Sequence, residues 1–445
     1  MNARLRFLLF NMINSFWFLP AILVAGVVAS AVGTVALDRL VGRQWASRAP
    51  WLFQISADSA RDILSTIAGS MIAATSLVFS MTLVALTLAS SQLGPRLLAM
   101  FRADRLTQVM LGVFIATLVY AQILLRLTTS SAEGYDAFVP LISVSVVQLL
   151  TVVSICTLVY FIHHLANLVQ TDTMVSHVGA RLDDTIRQMF PDEPVDAGRN
   201  GEPALPPSFD KFAVPLPAVE AGYVQTMDRD RLVRAATDAD VVIDVLVHPG
   251  HFVLGGADMA RIWPQDRCTD AVKAQVAGCI VLGRKRTQAE DLDFSIKALV
   301  EVALRALSPG VSDPFTALAC IDRIAASLSL AMGRGEPPAC GRDEAGDLRV
   351  VWPEMGFVAL LNAGFDEIRR AAKTNLTVAE RIVAMLARLA VGAADPRYRT
   401  AIRRQGDLTI AQARETFPLA QDREGFERTA DQLAGALRRW GDADD

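Results

Sequence analysis

The sequence predicts a membrane α-helical fold. Four N-terminal transmembrane helices precede a cytosolic α+β domain, in which a short β barrel or sandwich-like part is followed by helices. Three observations carry this. Four long apolar stretches fall within the first 165 residues of a 445-residue chain. Hydrophobic residues make up 52% of the chain and charged residues 20%, against about 25% charged in an ordinary soluble domain. The charge is also divided. Residues 1–164 carry ten arginines, no lysine and six acids, a net +4 within a total of −4, which leaves −8 for the remainder.

The apolar stretches are Phe16–Leu37, Ile63–Pro95, residues 106–126 and Phe138–Ile162. A bilayer core of ~30 Å needs ~20 residues at ~1.5 Å rise each, so all four qualify as spans of a transmembrane domain over residues 1–165. No Asp, Glu or Lys lies inside any of them, which counts against a proton-coupled carrier and leaves a passive channel open. Ala29-Ser30-Ala31 resembles a signal-peptidase site. The 22-residue run begins only at residue 16, however, and favours a retained first span. Arg4 and Arg6 precede the first span, and Arg96, Arg102 and Arg105 lie between the second and third. Positive-inside bias therefore places both termini in the cytoplasm, although Arg39, Arg43, Arg48 and Arg61 in the 1–2 loop spoil the pattern.

The second span is long, ~50 Å as a helix, and rich in hydroxyls. Ser65, Gly69, Ser76, Ser80, Thr87 and Ser91 fall on one helical face, interrupted by Ile72 and Leu83. Small residues let helices approach closely in lipid, so the bland account is a packing stripe, which the lack of charge favours. The sharper account is a hydrophilic path lining a pore. His163 and His164 follow the fourth span and read as interfacial residues. As i,i+1 neighbours they face different ways and make a poor metal pair.

Residues 166–210 read as a helical extension followed by a Pro-rich linker over Pro191–Pro207. Residues 211–290 read as β-rich: Tyr223–Met227, Val241–Val247, Phe252–Leu254 and Gly278–Leu282 are short strand-favouring runs, and Asp230–Thr237 is a short helix among them. The string VLVHPGHFVLGGADMARIW resembles the hairpin of biotinyl- or lipoyl-type barrels but lacks the carrier lysine, so no swinging-arm role follows. His248 and His251 flank its turn, with Cys268 as the nearest further donor, and read as surface residues because no third ligand can be placed. Residues 291–445 read as helical, with helices over Phe294–Leu307, Asp313–Met332, Phe357–Ala372, Val378–Val391, Ile410–Thr416 and Phe426–Trp440, and a loop over Gly333–Gly346. Asp313-Pro314 supplies a helix N-cap and a proline at the first helical position. Around it, Arg305, Ser308, Gly310, Ser312 and Asp313 form a candidate anion-binding turn. The structural account, a tight helix–turn–helix, is favoured because Asp313 already occupies the cap and repels an anion.

The five cysteines are odd in number and form no CxxC, which fits free thiols in a reducing compartment. No GxSxG, P-loop, HExxH or dinucleotide fingerprint occurs. The chain is expected to be no enzyme and to use no cofactor or metal. The acidic balance argues against nucleic acid, and the partners expected are the bilayer and further copies of the chain.

Three segments carry a family resemblance: TSLVFSMTLVALTLASSQLGPRLL (75–98), YFIHHLA (160–166) and ALVEVALRALSPGVSDPFTALACIDR (298–323). Together they resemble the bacterial predicted membrane proteins of domain of unknown function 2254. The resemblance implies an integral inner-membrane protein with N-terminal spans and a cytosolic C-terminal domain, and it implies no catalytic residue. The function expected is a homo-oligomeric channel- or transport-like assembly with a cytosolic regulatory domain. The alternative is a structural or signalling membrane protein whose cytosolic domain binds a protein or small anion. A reporter fused after Arg105 or at the C-terminus should be active in the cytoplasm, and one fused near Gly134 in the periplasm. A periplasmic C-terminus would overturn the cytosolic-domain assignment.

Overall fold

The computed structural model describes residues 17–48, 56–93, 104–128, 138–168, 171–192, 204–286 and 291–439. The chain divides into two compact units, residues 1–173 and 174–445.

The first unit holds helices α1 (Phe18–Arg48), α2 (Ala57–Leu93), α3 (Arg105–Leu127) and α4 (Leu141–Leu168). α3 is the hub. In its most apolar stretch 56% of residues are buried, against 17–22% in the other three. It packs on α1, α2 and α4 through Met110, Leu111, Phe114, Tyr120, Ala121 and Leu124. At Gly112 the α1 backbone comes so close that a Cβ would lie 2.6 Å from Leu23 Cδ1 and 3.1 Å from Pro20 Cα. That is the close approach small residues permit between helices in lipid.

Polar side chains pin the helices where their backbones run out of partners. Asp38, only 6% exposed, closes the start of α4: it accepts from Ile142 N at 2.8 Å, Ser143 N at 3.0 Å and Ser143 Oγ at 2.6 Å. Arg61 Nε donates to the Thr128 carbonyl at 2.9 Å. Thr34 Oγ1 and Tyr120 Oη are 2.7 Å apart, and Thr117 Oγ1 and Ser154 Oγ are 3.0 Å apart. Asp104 caps α3 through Thr107 N at 3.1 Å and meets His164 Nε2 at 2.9 Å. Burial works against the Asp104 carboxylate, but the hydrogen bonds from Thr107 and His164 outweigh it and hold its pKa below the usual value. The expectation that the spans hold no acid needs correcting. α1 continues past Leu37, so Asp38 lies inside an apolar helix long enough to cross a membrane. The helix needs that carboxylate to terminate a neighbour.

The second unit begins within α5 (Thr171–Met189), which is followed by the short α6 (Phe209–Phe212). Two sheets follow. Strands β1 (Val214–Pro217), β3 (Val242–Val245), β5 (Asp258–Trp263), β7 (Cys340–Arg342) and β8 (Leu348–Val351) form one, in the order β1-β5-β3-β8-β7. Strands β2 (Gly222–Met227), β4 (Phe252–Val253) and β6 (Ile280–Gly283) form the other, in the order β4-β2-β6. β1 carries Pro215 and Pro217, tolerable because it is an edge. β3 is central and buried at all four positions; it runs antiparallel to β5 and parallel to β8, with Ile243 opposite Val350. The hairpin expected from VLVHPGHFVLGGADMARIW thus forms between β3 and β5, while Phe252–Val253 joins the other sheet. Helices α7 (Arg229–Asp238) and α8 (Asp270–Ala277) cover the core of Val224, Leu232, Ile243, Ile262, Val276 and Val350.

The remaining helices are α9 (Leu292–Ala306), α10 (Pro314–Met332), α11 (Phe357–Ala371), α12 (Leu376–Gly392), α13 (Pro396–Thr416) and α14 (Glu424–Arg438). Each of four starts on a side chain that accepts a backbone N–H: Asp291, Asp313, Asn375 and Asp395. α10 is a fifth helix long and apolar enough to cross a membrane. It packs against α9, α11 and α12. Asp322 pairs with Arg381 at 3.4 Å, and Arg323 pairs with Asp183 of α5. The loop expected over Gly333–Gly346 contains β7, and α8 was not anticipated.

Asp38→Ala should lower the unfolding midpoint of the detergent-purified protein, by about 1–2 kcal/mol of stability for a lost cap. Asp38→Asn, which keeps one acceptor, should lose less. Equal losses would mean that the cap is not what Asp38 contributes.

Candidate functional site

On α2, Ser65, Gly69, Ser76, Ser80 and Thr87 all lie on the exposed side of the helix. A Cβ added at Gly69 would meet nothing within 4 Å. The opposite side, with Ala60, Leu64, Ile67, Ala68, Met71, Val78 and Ala85, is buried. Among the described residues, packing therefore does not use the hydroxyl stripe. The side chain of Ser91 lies outside the described residues. Thr87 Oγ1 donates to the Leu83 and Val84 carbonyls at 3.0 and 2.8 Å, which satisfies its proton within the helix. Asp62 and Asp58, three and seven residues before Ser65, are also exposed and share the face by helical register. Sequence reasoning missed them because it began the span at Ile63. Extending the period N-terminally would have found them.

The turn between α9 and α10 is closed by its own backbone. Val311 N and Ser312 N both donate to the Ser308 carbonyl at 3.0 Å, and Asp313 N donates to the Ala306 carbonyl at 2.8 Å. Ser308 Oγ donates to the Arg305 carbonyl at 2.7 Å. Ser312 takes φ +50°, a left-handed conformation uncommon for a residue with a Cβ. Gly310 faces open space. The Asp313 carboxylate accepts from Thr316 N at 3.2 Å and Thr316 Oγ1 at 2.5 Å. Arg305 lies 4.0 Å from Glu301, one turn back. The chain thus gathers Arg305, Ser308, Gly310, Ser312 and Asp313 into one tight connection, and a carboxylate stands where an anion would sit. Burial, with the Asp313 charge adding to it, pushes the nearby Cys320 thiol up to about 12, so that thiol stays protonated and unreactive.

A third polar cluster was visible in the sequence only through His248 and His251. Asp291, 2% exposed, accepts from Arg286 Nε at 2.5 Å, Arg286 Nη2 at 2.8 Å and Phe294 N at 2.8 Å. Arg286 Nη2 also reaches Asp293 at 2.8 Å, and Lys297 Nζ lies 3.3 Å from Asp293. Burial opposes the charge on Arg286 and on Asp293, yet their mutual hydrogen bonds prevail, raising the arginine pKa and lowering the aspartate. Gly250, at φ +89°, lies against this pair, and a Cβ there would collide with the Asp291 carboxylate. Beside it the His248 and His251 rings stack with centroids 5.3 Å apart. Burial first, and then the His248 charge, lowers the His251 pKa. The signal for this cluster was the unusual HPGH turn, but its partners lie 35 or more residues away in the sequence. Among the described residues no group of three or more His, Cys, Asp or Glu is arranged to hold a metal.

If the α9–α10 turn is purely structural, Asp313→Ala should cost about 1 kcal/mol through the lost cap. Arg305→Ala should then shift the unfolding midpoint without removing any phosphate binding measured by calorimetry. Loss of phosphate binding at an unchanged midpoint would establish an anion site instead.

A protein-family model described as predicted membrane protein, DUF2254, matches residues 13–388. That range contains all three resembling segments. Uncharacterized proteins of Mycobacterium tuberculosis and Mycobacterium bovis are 32% identical over 376 residues, covering 84% of this chain and 71% of theirs. No solved structure matches. With hydropathy, helix lengths and family match agreeing, the chain belongs to the DUF2254 family of predicted membrane proteins.

Proposed function

We propose that the chain is the protomer of a homo-oligomeric, channel-like assembly in the bacterial inner membrane, with α1–α4 crossing the bilayer and α10 staying with the second unit. Both termini are cytoplasmic in this reading, and the second unit regulates the assembly from the cytosol. One observation carries it. The hydroxyl face of α2 lies on the exposed side of the protomer, so Ser65, Gly69, Ser76, Ser80 and Thr87 are available to line an axis shared between copies. Asp58 and Asp62 extend that face into a carboxylate-bearing mouth, the arrangement that favours cations. Apart from the exposed Ile72 and Leu83 that interrupt it, the stripe is small and polar, which suits a water-filled contact better than a lipid-facing one. If the face packs dry against a copy instead, the protein is a structural or signalling one whose second unit binds a partner.

Substitutions on this face separate the two. In a pore, Ser76→Leu or Ser80→Leu leaves the oligomer intact and reduces ion flux in reconstituted liposomes. In a dry contact the same changes force helices apart and disrupt assembly. Ser80→Asp should be tolerated in a lumen and raise cation preference, whereas a charge at a dry interface costs about 3 kcal/mol and lowers expression. Absence of flux in every ionic condition, together with a Ser80→Asp variant that fails to fold, would end the channel reading.

A further inference from the structure

The α9–α10 turn has an exterior that its internal hydrogen bonding does not explain. Phe315 is 79% exposed and Val311 54% exposed, with Pro309 and Gly310 beside them. Between Arg305 and Asp322 the only charged residue is Asp313, and its carboxylate is turned inward onto Thr316. Much of the amide set is engaged too. Ser308, Val311, Ser312 and Asp313 all donate their N–H groups within the turn, and Pro309 and Pro314 have none to offer. The tip therefore presents apolar surface with its charge and most of its amide protons already matched. An exposed aromatic ring with no outward charge beside it suits the headgroup–acyl boundary, where the remaining carbonyls stay within reach of water.

We propose that the Pro309–Phe315 tip inserts into the interface of a lipid bilayer. A protein partner fits less well. Two large exposed side chains offer far less than the ~800 Å² per partner of a stable protein interface. A lipid surface needs no such area. The chain's own membrane helices hold it at the bilayer, so a weak local contact acts at high effective concentration. Phe315, aromatic and without a polar atom, is the anchor, and Val311 supports it.

The test uses the full chain in nanodiscs of phosphatidylethanolamine and phosphatidylglycerol. Phe315→p-benzoylphenylalanine, and separately Val311→p-benzoylphenylalanine, are photolysed and the products read by mass spectrometry. Glu415, exposed on α13, serves as the control position. Both probes sit at solvent-facing positions, and an unchanged unfolding midpoint checks that each variant folds. Phospholipid adducts at 315 and 311 above the Glu415 control are expected. Cross-linked copies of the chain in place of lipid adducts, or lipid adducts no more abundant than the control, would overturn the proposal.

Discussion

The Asp38 carboxylate at the start of α4 is the contact on which the first unit depends. The first turn of any helix has backbone N–H groups without intrahelical partners, and a bilayer offers no water to satisfy them. α1 solves this for α4 by running past its apolar run and delivering an acid to the first turn of α4. Asp104 does the same for α3 and recruits His164 from α4. Arg61 closes the other end of α3 by donating to the Thr128 carbonyl. With the ends fixed, the helices register on α3, and α2 is left with one face buried and one face free.

The second unit uses the same device. Asp291, Asp313, Asn375 and Asp395 each start a helix by accepting an amide proton. There the acids gain a second task. Asp291 holds Arg286 against the HPGH loop, and Asp183 of α5 holds Arg323 and Ser327 of α10. The most apolar helix of the unit is thereby kept among its neighbours by charges it carries in its own middle.

Much of this was legible in the sequence. Apolar runs of more than twenty residues gave the first unit, because length and hydropathy are local properties. Helical periodicity gave α9, α10, α11, α12 and α14, and Asp313-Pro314 marked the start of α10. What stayed hidden were pairings between distant residues. Nothing near Asp38 points to Ser143, and nothing near Gly250 points to Asp291. β7 was hidden because Cys340–Arg342 is three residues long and gains its strand character only from β8. α13 was read over its last turns alone, since Pro396 and a run of arginines masked its start. The α2 stripe was visible as a period, but which side it faced depended on where α3 lies, and that is tertiary information.

The parallel pairing of β3 with β8 has an implication for how the protein is made. Ile243 waits for Val350, so a ribosome must deliver α9 and α10 before the central strand can gain its second neighbour. Non-local pairing of this kind slows folding. In the interval β3 presents one row of unpaired backbone groups, the feature that invites aggregation. Until then β5 alone pairs with it, so the order of synthesis sets how long that edge stays open.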